Sequence, residues 1–347
     1  MKIAYAVCSL GLGHASRSLP LIKTLIKEGH DVTVIAYGRS KNYIERSIDG
    51  IDIIELHDYP IEYTKSRTSF IPNILLKSPA ILSSFIEEHE EFIKIQKRQN
   101  FKMIISDNRY GIFYPGIPSY IITHQLRIMN PFRIKSLETL SMLYNSYVGK
   151  FFNKILVPDF FENSLSGDLS HNTKFIDKNK ISYIGPLSNF RKLDIAKDID
   201  ILVTISGPEP QRTIFEKIVE NEIKKYDGNY YIVLGRPDMK KNDGKIISFA
   251  SQEDMEKLYN RAKTVISRSG YSTIMDIFYT GGKAFFIPTP SQPEQEYLAE
   301  YLYEKNVSGY SKQEEFKLEL IETENYTGFD GGYSIDKSIR NFMDEVM

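Results

Sequence analysis

The sequence predicts an α/β protein of two doubly wound parallel-sheet domains, and three observations lead there. Apolar strands alternate with helical stretches from the first residues on, the pattern of strand–helix units feeding a parallel sheet. The pattern pauses at residues 180–187 and then starts again. At 347 residues the chain is also longer than one core ordinarily serves. The expected division is 1–184 for a first domain, 185–330 for a second facing it across a cleft, and 331–347 for a closing helix that crosses back to the first.

Ile3 to Val7 is an apolar strand, followed by a glycine loop from Ser9 to Gly13. Ala15, Leu19, Ile22 and Ile26 then recur at helical spacing, and Gly29 suits the helix C-cap. Val32–Ala36, Ile51–Glu55, Phe101–Ser106 and Pro118–Thr123 read as further strands, the third running into Asp107. Residues 180–187 read as a linker, closing on a Gly185-Pro186 turn. The second series has strands at Ile201–Ile205, Tyr230–Leu234, Lys245–Phe249, Thr264–Ser267 and Ala284–Ile287. Its helices are Thr213–Lys224, Glu253–Ala262, Ser272–Tyr279 and Glu294–Lys305, before a last helix from Ile335. Parallel sheets of this kind bind ligands at the carboxyl ends of their strands.

Composition excludes several classes. With Lys+Arg 44 against Asp+Glu 45, global charge makes no case for nucleic acid. The single Cys8 allows neither an internal disulfide nor a cysteine metal cluster, so a reducing cytoplasm is expected. The N-terminal apolar run is too short for a signal peptide, and no run approaches the ~18 apolar residues of a membrane span.

The most informative stretch is Arg268-Ser269-Gly270-Tyr271-Ser272-Thr273-Ile274-Met275-Asp276, with Glu294-Gln295 beyond it. It reads as a strand end, a glycine turn and a helix carrying an acid in its second turn. A helix N-terminus behind a glycine offers backbone N–H groups and a positive dipole end to a phosphate. A carboxylate further on suits the hydroxyls of a ribose, so the pair points to a nucleotide. At the other end of the chain, Gly11-Leu12-Gly13-His14 places an imidazole at the start of the first helix. Histidine titrates nearest neutral pH, so His14 is the candidate general base, and Asp107 at a strand end is the candidate group that orients it.

Together these residues resemble the GT-B glycosyltransferases, above all the MurG-type UDP-N-acetylglucosamine transferases and the UDP-glycosyltransferases. The signature His-x-Gly-x-x-Ser/Thr-x-x-Glu of the plant enzymes has the spacing of Arg268, Gly270, Thr273 and Asp276, and its closing Asp-Gln corresponds to Glu294-Gln295. The resemblance implies two Rossmann-like domains and transfer of a sugar from a UDP-sugar to an acceptor hydroxyl, with inversion. It implies no catalytic metal and no cofactor beyond the UDP-sugar as co-substrate. It also implies roles. Gly13 and His14 line the first loop. Ser206, Gly207 and Arg212 touch the diphosphate, although Pro208 and Pro210 remove two backbone donors that the family's glycine-rich loop would supply. Phe249 and Ala250 border the base. Arg268, Ser269, Gly270 and Tyr271 cradle the pyrophosphate, Asp276 holds the ribose, and Glu294 and Gln295 hold the sugar. Asp198-Ile199-Asp200 spells a metal-holding Asp-x-Asp, but it precedes a strand instead of ending one.

Residues 127–154 give a separate signal. Arg127, Arg133, Lys135, Lys150 and Lys154 stand against one acid, Glu138, with Leu137, Leu140, Tyr144, Val148 and Phe151 at helical spacing. Such a stretch can rest on an anionic membrane surface, which suits a lipid-linked acceptor and a peripheral place on the inner face. An ordinary packed helix with solvated cations reads the same way. Two rival functions fit the same fold: a UDP-N-acetylglucosamine epimerase, and a non-catalytic nucleotide-sugar-binding subunit.

Overall fold

A computed structural model describes the chain apart from residues 10, 58–66, 237–242 and 324; the side chains of 67–82, 322 and 323 also lie outside the description. The chain forms two compact units. The first runs to Asn189 and takes up the chain again at Ile335–Met347; the second is Phe190–Ser334.

The first unit contains β1 (Lys2–Val7), α1 (Leu12–Lys27), β2 (Asp31–Ala36), α2 (Gly38–Ser47), β3 (Asp52–Glu55), α3 (Arg67–Gln99), β4 (Met103–Asp107), β5 (Ser119–Ile122), α4 (Lys135–Val148), β6 (Lys154–Val157) and β7 (Ile181–Tyr183). Its seven strands are all parallel, in the order β3-β2-β1-β4-β5-β6-β7. The order reverses between β1 and β4, where Val7 pairs with Asp107. β1 and β4 are buried from end to end apart from Lys2, as the continuous apolar runs of a covered parallel sheet require.

The second unit contains β8 (Ile199–Thr204), α5 (Gln211–Ile223), β9 (Tyr230–Val233), β10 (Ile246–Ile247), α6 (Gln252–Arg261), β11 (Ala262–Ser267), α7 (Tyr271–Thr280), β12 (Lys283–Phe286), α8 (Pro293–Glu304), β13 (Gly309–Tyr310) and α9 (Glu319–Thr323). Its six strands run in parallel in the order β10-β9-β8-β11-β12-β13, reversing between β8 and β11. Val203, Ile205, Phe215, Ile232, Ile266, Phe285 and Ile287 are its core.

The last helix, α10 (Ile335–Val346), belongs to the first unit and packs on α1, burying Ile335, Ser338, Phe342 and Val346. Glu345 reaches Lys154 at 3.6 Å. Two sequence assignments change. Residues 180–187 are not only a linker, because β7 within them is the edge strand of the first sheet. The basic stretch ends in a strand, β6, whose Ile155, Leu156 and Val157 are buried.

Candidate functional site

In a doubly wound sheet the strand order leaves a crevice where neighbouring loops diverge, and ligands bind there, beyond the strands' carboxyl ends. Each unit puts one set of candidate residues at that place.

In the first unit the loop after β1 leads into α1 through Gly11 and Gly13, and β4 ends in Asp107. His14 Nδ1 lies 2.8 Å from Asp107 Oδ1, with His14 18% exposed and Asp107 wholly buried. The two residues singled out from opposite ends of the domain are therefore one constellation. Its Nδ1–H donates to the carboxylate, which leaves Nε2 as the nitrogen able to accept a proton. The carboxylate has more partners than the sequence reading gave it. Arg17 Nε donates to Oδ2 at 2.8 Å, Arg17 Nη2 donates to Oδ1, and Ser18 Oγ donates to Oδ2 at 2.9 Å. Arg17 itself is 2% exposed. Burial alone would raise the Asp107 carboxyl, but Arg17 and His14 beside it outweigh that and hold it well below the usual carboxylate range. Sequence reasoning missed Arg17 and Ser18. The signal was helical spacing: positions three and four after His14 lie on the same face of α1.

In the second unit three loops at the carboxyl ends of β8, β11 and β12 carry the candidates. The first holds Ser206, exposed, and Gly207, whose φ of +108° suits glycine alone. Arg212 is half-buried; it pairs with Glu209 and donates to Leu234 O at 3.3 Å. The prolines leave this loop an ion-paired turn, with Arg212 already engaged.

After β11, Ser269 and Tyr271 are buried and Gly270 is the N-cap of α7. Ile274 is the first residue whose amide bonds back, to Gly270 O at 3.1 Å. The amides ahead of it are those that a helix leaves without an intrahelical acceptor, which is what an anion uses. The Ser269 hydroxyl is turned inward, donating to Gln295 O at 2.7 Å, so the residue can offer a ligand only its backbone. Asp276 is half-buried in the second turn of α7, close enough to the Tyr259 phenol that its charge, after burial, helps to raise that group.

Arg268 requires a correction. It was expected to add a free charge at the pyrophosphate. Instead it is 1% exposed: Nη1 donates to Ile287 O at 3.0 Å and Pro288 O at 3.1 Å, and Nη2 to Gln211 O at 3.0 Å and to Gln313 Oε1. Its guanidinium also lies 4.2 Å from the Phe215 ring centroid. All of those acceptors are neutral. Among the described residues Nε has no partner, and the buried hydroxyl of Thr289 nearby has none either. A Cβ on Gly207 would stand 3.4 Å from that hydroxyl and 3.9 Å from Nε.

Gln295 also departs from its expected role. Its Oε1 accepts from Thr289 N at 2.9 Å and its amide donates to Gln292, so the side chain holds the β12–α8 loop. Glu294 remains half-buried in the first turn of α8. Phe249 is 55% exposed beside half-buried Ala250 beyond β10, open to a planar base. Asp198 and Asp200 are occupied by Arg261 and Lys263.

Comparison with known proteins now decides the class. Residues 214–329 match the glycosyltransferase family 28 C-terminal domain, and residues 1–116 match glycosyl transferase family 1. The chain is a glycosyltransferase. An uncharacterised glycosyltransferase of Methanosarcina acetivorans is 26% identical to it, over 92% of this chain and 89% of that one. The UDP-N-acetylglucosamine–N-acetylmuramyl-(pentapeptide) pyrophosphoryl-undecaprenol N-acetylglucosamine transferase of Buchnera aphidicola is also 26% identical, over 89% of this chain and 84% of that protein. Among solved structures, Acinetobacter baumannii MurG superposes with a TM-score of 0.59 at 13% identity, covering 99% of the glycosyltransferase and 98% of MurG. The fold is therefore GT-B. Transfer is the reading these relatives support, over the epimerase and the non-catalytic subunit.

Proposed function

We propose that the enzyme moves a sugar from a UDP-sugar to a hydroxyl of a lipid-linked acceptor at a membrane surface, in one inverting displacement. The observation that carries the reaction type is the His14–Asp107 pair at a sheet switch point, with the imidazole partly exposed and its Nδ1 fixed at 2.8 Å from the carboxylate. In the displacement, His14 Nε2 takes the acceptor's hydroxyl proton as the acceptor oxygen bonds to the anomeric carbon. The bond from that carbon to the diphosphate breaks, and its electron pair leaves with UDP. The leaving charge meets the amides at the start of α7 and the buried Arg268. Among the described residues the acceptors of Arg268 are neutral, and the diphosphate brings an anion to them. Asp276 holds the ribose, and Phe249 and Ala250 border the uracil. The UDP-sugar is a co-substrate, and no resident cofactor enters this reading.

The acceptor's class rests on a surface of the first unit. Ile128, Phe132, Ile134, Leu140, Leu143, Tyr147 and Phe151 are each at least 40% exposed. Arg133, Lys135 and Lys150 are exposed in the same segment. A large exposed apolar patch with cations beside it fits an anionic membrane face. The charge is smaller than composition suggested, since Arg127 is tied to Glu138 and Asp168 and Lys154 faces Glu345. Relatives named for transfer to undecaprenol-linked sugars support the same reading. Among the described residues no helix is long and apolar enough to cross a membrane, so the proposed attachment is peripheral, on the inner face.

A donor screen by thermal shift tests the first half. A ligand at a hundred times its dissociation constant adds ~2.7 kcal/mol, so UDP-sugars should raise the melting temperature where GDP- and TDP-sugars at equal concentration do not. Equal shifts from all three would remove the uridine preference. Co-sedimentation with anionic vesicles at low and high salt tests the second half; full recovery in the supernatant at both would remove the membrane acceptor.

A further inference from the structure

Asp107 carries more donors than a partner for His14 requires. A lone buried carboxylate behind an imidazole does two things: it fixes the ring, and its charge pulls a proton onto it. A base needs the first effect, and it tolerates the second only so far as the ring still arrives neutral at the operating pH. Arg17 separates them. Its Nε lies 2.8 Å from Oδ2 and its Nη2 bonds Oδ1, the same oxygen that accepts from His14 Nδ1 at 2.8 Å. Oδ2 also takes Ser18 Oγ at 2.9 Å. The fork-on-carboxylate pairing cancels the aspartate's charge at close range and leaves its geometry in place.

The same helix face supplies all three partners, since His14, Arg17 and Ser18 stand on one side of the first two turns of α1. The other titratable groups near the cluster do not supply the missing negative charge. His124, beyond β5, meets Arg17 Nη1 through its Nδ1 at 3.4 Å. Tyr5 on β1 and Tyr110 beyond β4 are both raised by burial and stay neutral phenols at physiological pH. Among the described residues, the charged groups bonded into this cluster are one aspartate and one arginine.

We propose that Arg17 is a positioning residue of the base: it neutralises Asp107 so that the aspartate orients His14 without drawing a proton onto it. This inference rests on the His14 reading above, and its first test does not need activity. The midpoint of the His14 imidazole titration is followed by NMR in the intact protein, with the His14→Gln spectrum giving the assignment. Arg17→Gln removes the cation and leaves the aspartate's attraction, so protonation becomes easier. The midpoint should rise by at least about one pH unit, the size expected for one charge ~6 Å away at an effective dielectric of ~20–40. Arg17→Lys, which keeps the charge, should stay within about 0.3 unit of wild type. An unmoved midpoint in folded Arg17→Gln overturns the proposal. If that variant does not fold, Arg17→Leu with Asp107→Leu removes both charges together, since an apolar replacement of a buried pair is often tolerated. The double variant should titrate as wild type does; a midpoint one unit away shows that the two charges do not cancel and also overturns the proposal. With a working donor and acceptor, the acid limb of the kcat profile should move up by the same unit in Arg17→Gln. Wild-type protein without transfer activity would instead sink the functional reading and leave the NMR result standing.

Discussion

Arg17 and Arg268 are each buried beside a sheet's switch point, and they are satisfied in opposite ways. Arg17, beside the β1–β4 junction, grips a carboxylate with its fork. Arg268, beside the β8–β11 junction, grips neutral oxygens from three segments of the chain, and among the described residues its Nε has no partner. On the proposed reading the difference separates two tasks. A cation closed against an aspartate is finished chemistry, which leaves the imidazole beside it as the candidate base. A cation held by carbonyls has been taken out of water without an anion, at a cost the fold must offset elsewhere. Such a place gains most when an anionic ligand arrives. On the proposed reading, proton transfer belongs to the first junction and diphosphate to the second.

The strongest test of that division is His14→Ala. Turnover should fall ~10²–10⁴-fold while donor affinity barely changes, because a general base acts on the acceptor's proton. Steady-state kinetics with calorimetry on UDP separates the two, and loss of UDP binding would erase the contrast. Next comes the closed pair itself. Asp107→Leu leaves Arg17 buried without its anion and should lower stability by ~3–5 kcal/mol in urea denaturation. The pH dependence follows from the sign. Asp107 sits below its unfolded value of about 3.9, so its stabilisation is complete above ~pH 5 and declines as pH falls below ~4. In Asp107→Asn the acid side of the stability curve should be flatter than in wild type.

The open arginine should behave differently. Arg268→Met ought to weaken UDP binding by ~1.5–3 kcal/mol, roughly ten- to a hundredfold, and leave the acid side of the stability curve unchanged, since no carboxylate titrates against it. Calorimetry showing wild-type affinity would mean that its charge serves only the loops. Asp276→Ala should cost ~1–3 kcal/mol of UDP affinity through the unpaired ribose hydroxyls; unchanged binding would take Asp276 out of the site. The smallest effect lies on the surface. Leu140→Gln with Tyr147→Gln should alter folding stability by no more than ~0.5 kcal/mol and still reduce vesicle binding at low salt.

The local grammar of the chain was legible because periodicity and glycine punctuation are local. Buried strands such as Ile3–Val7 are continuous apolar runs, and the helix after Gly270 announces itself by its cap. The His14–Asp107 pair was found for the same reason, since both residues end elements whose place in a doubly wound sheet is fixed by topology. α4 shows where that reasoning stops. Helical spacing put Leu137, Leu140, Tyr144, Val148 and Phe151 on one stripe and left open whether a membrane or the core covers it. The helix buries Glu138 and Asn145 beside Met142 and Val148, and exposes Leu140, Leu143 and Tyr147. The cause is distant in sequence: Glu138 must meet Arg127, and Asn145 donates to Gln125 O at 3.0 Å and Leu126 O at 2.9 Å. The stretch 71–95 is also apolar in sequence and would suit the border of an acceptor groove, and its side chains up to 82 lie outside the described residues.

By itself, then, the sequence determined two parallel α/β units and pointed to the loops and residue types of a candidate base and a candidate nucleotide cradle. These follow from strand runs, helix caps and motif spacing, all of which act over a few residues. Only the tertiary structure decided how those side chains are spent. It closed Arg17 on Asp107, committed Arg268 and Gln295 to neighbouring loops, and turned the apolar side of α4 outward. Each outcome depends on hydrogen-bond partners brought together by strand order, and a buried polar group takes whichever partner the fold puts within reach.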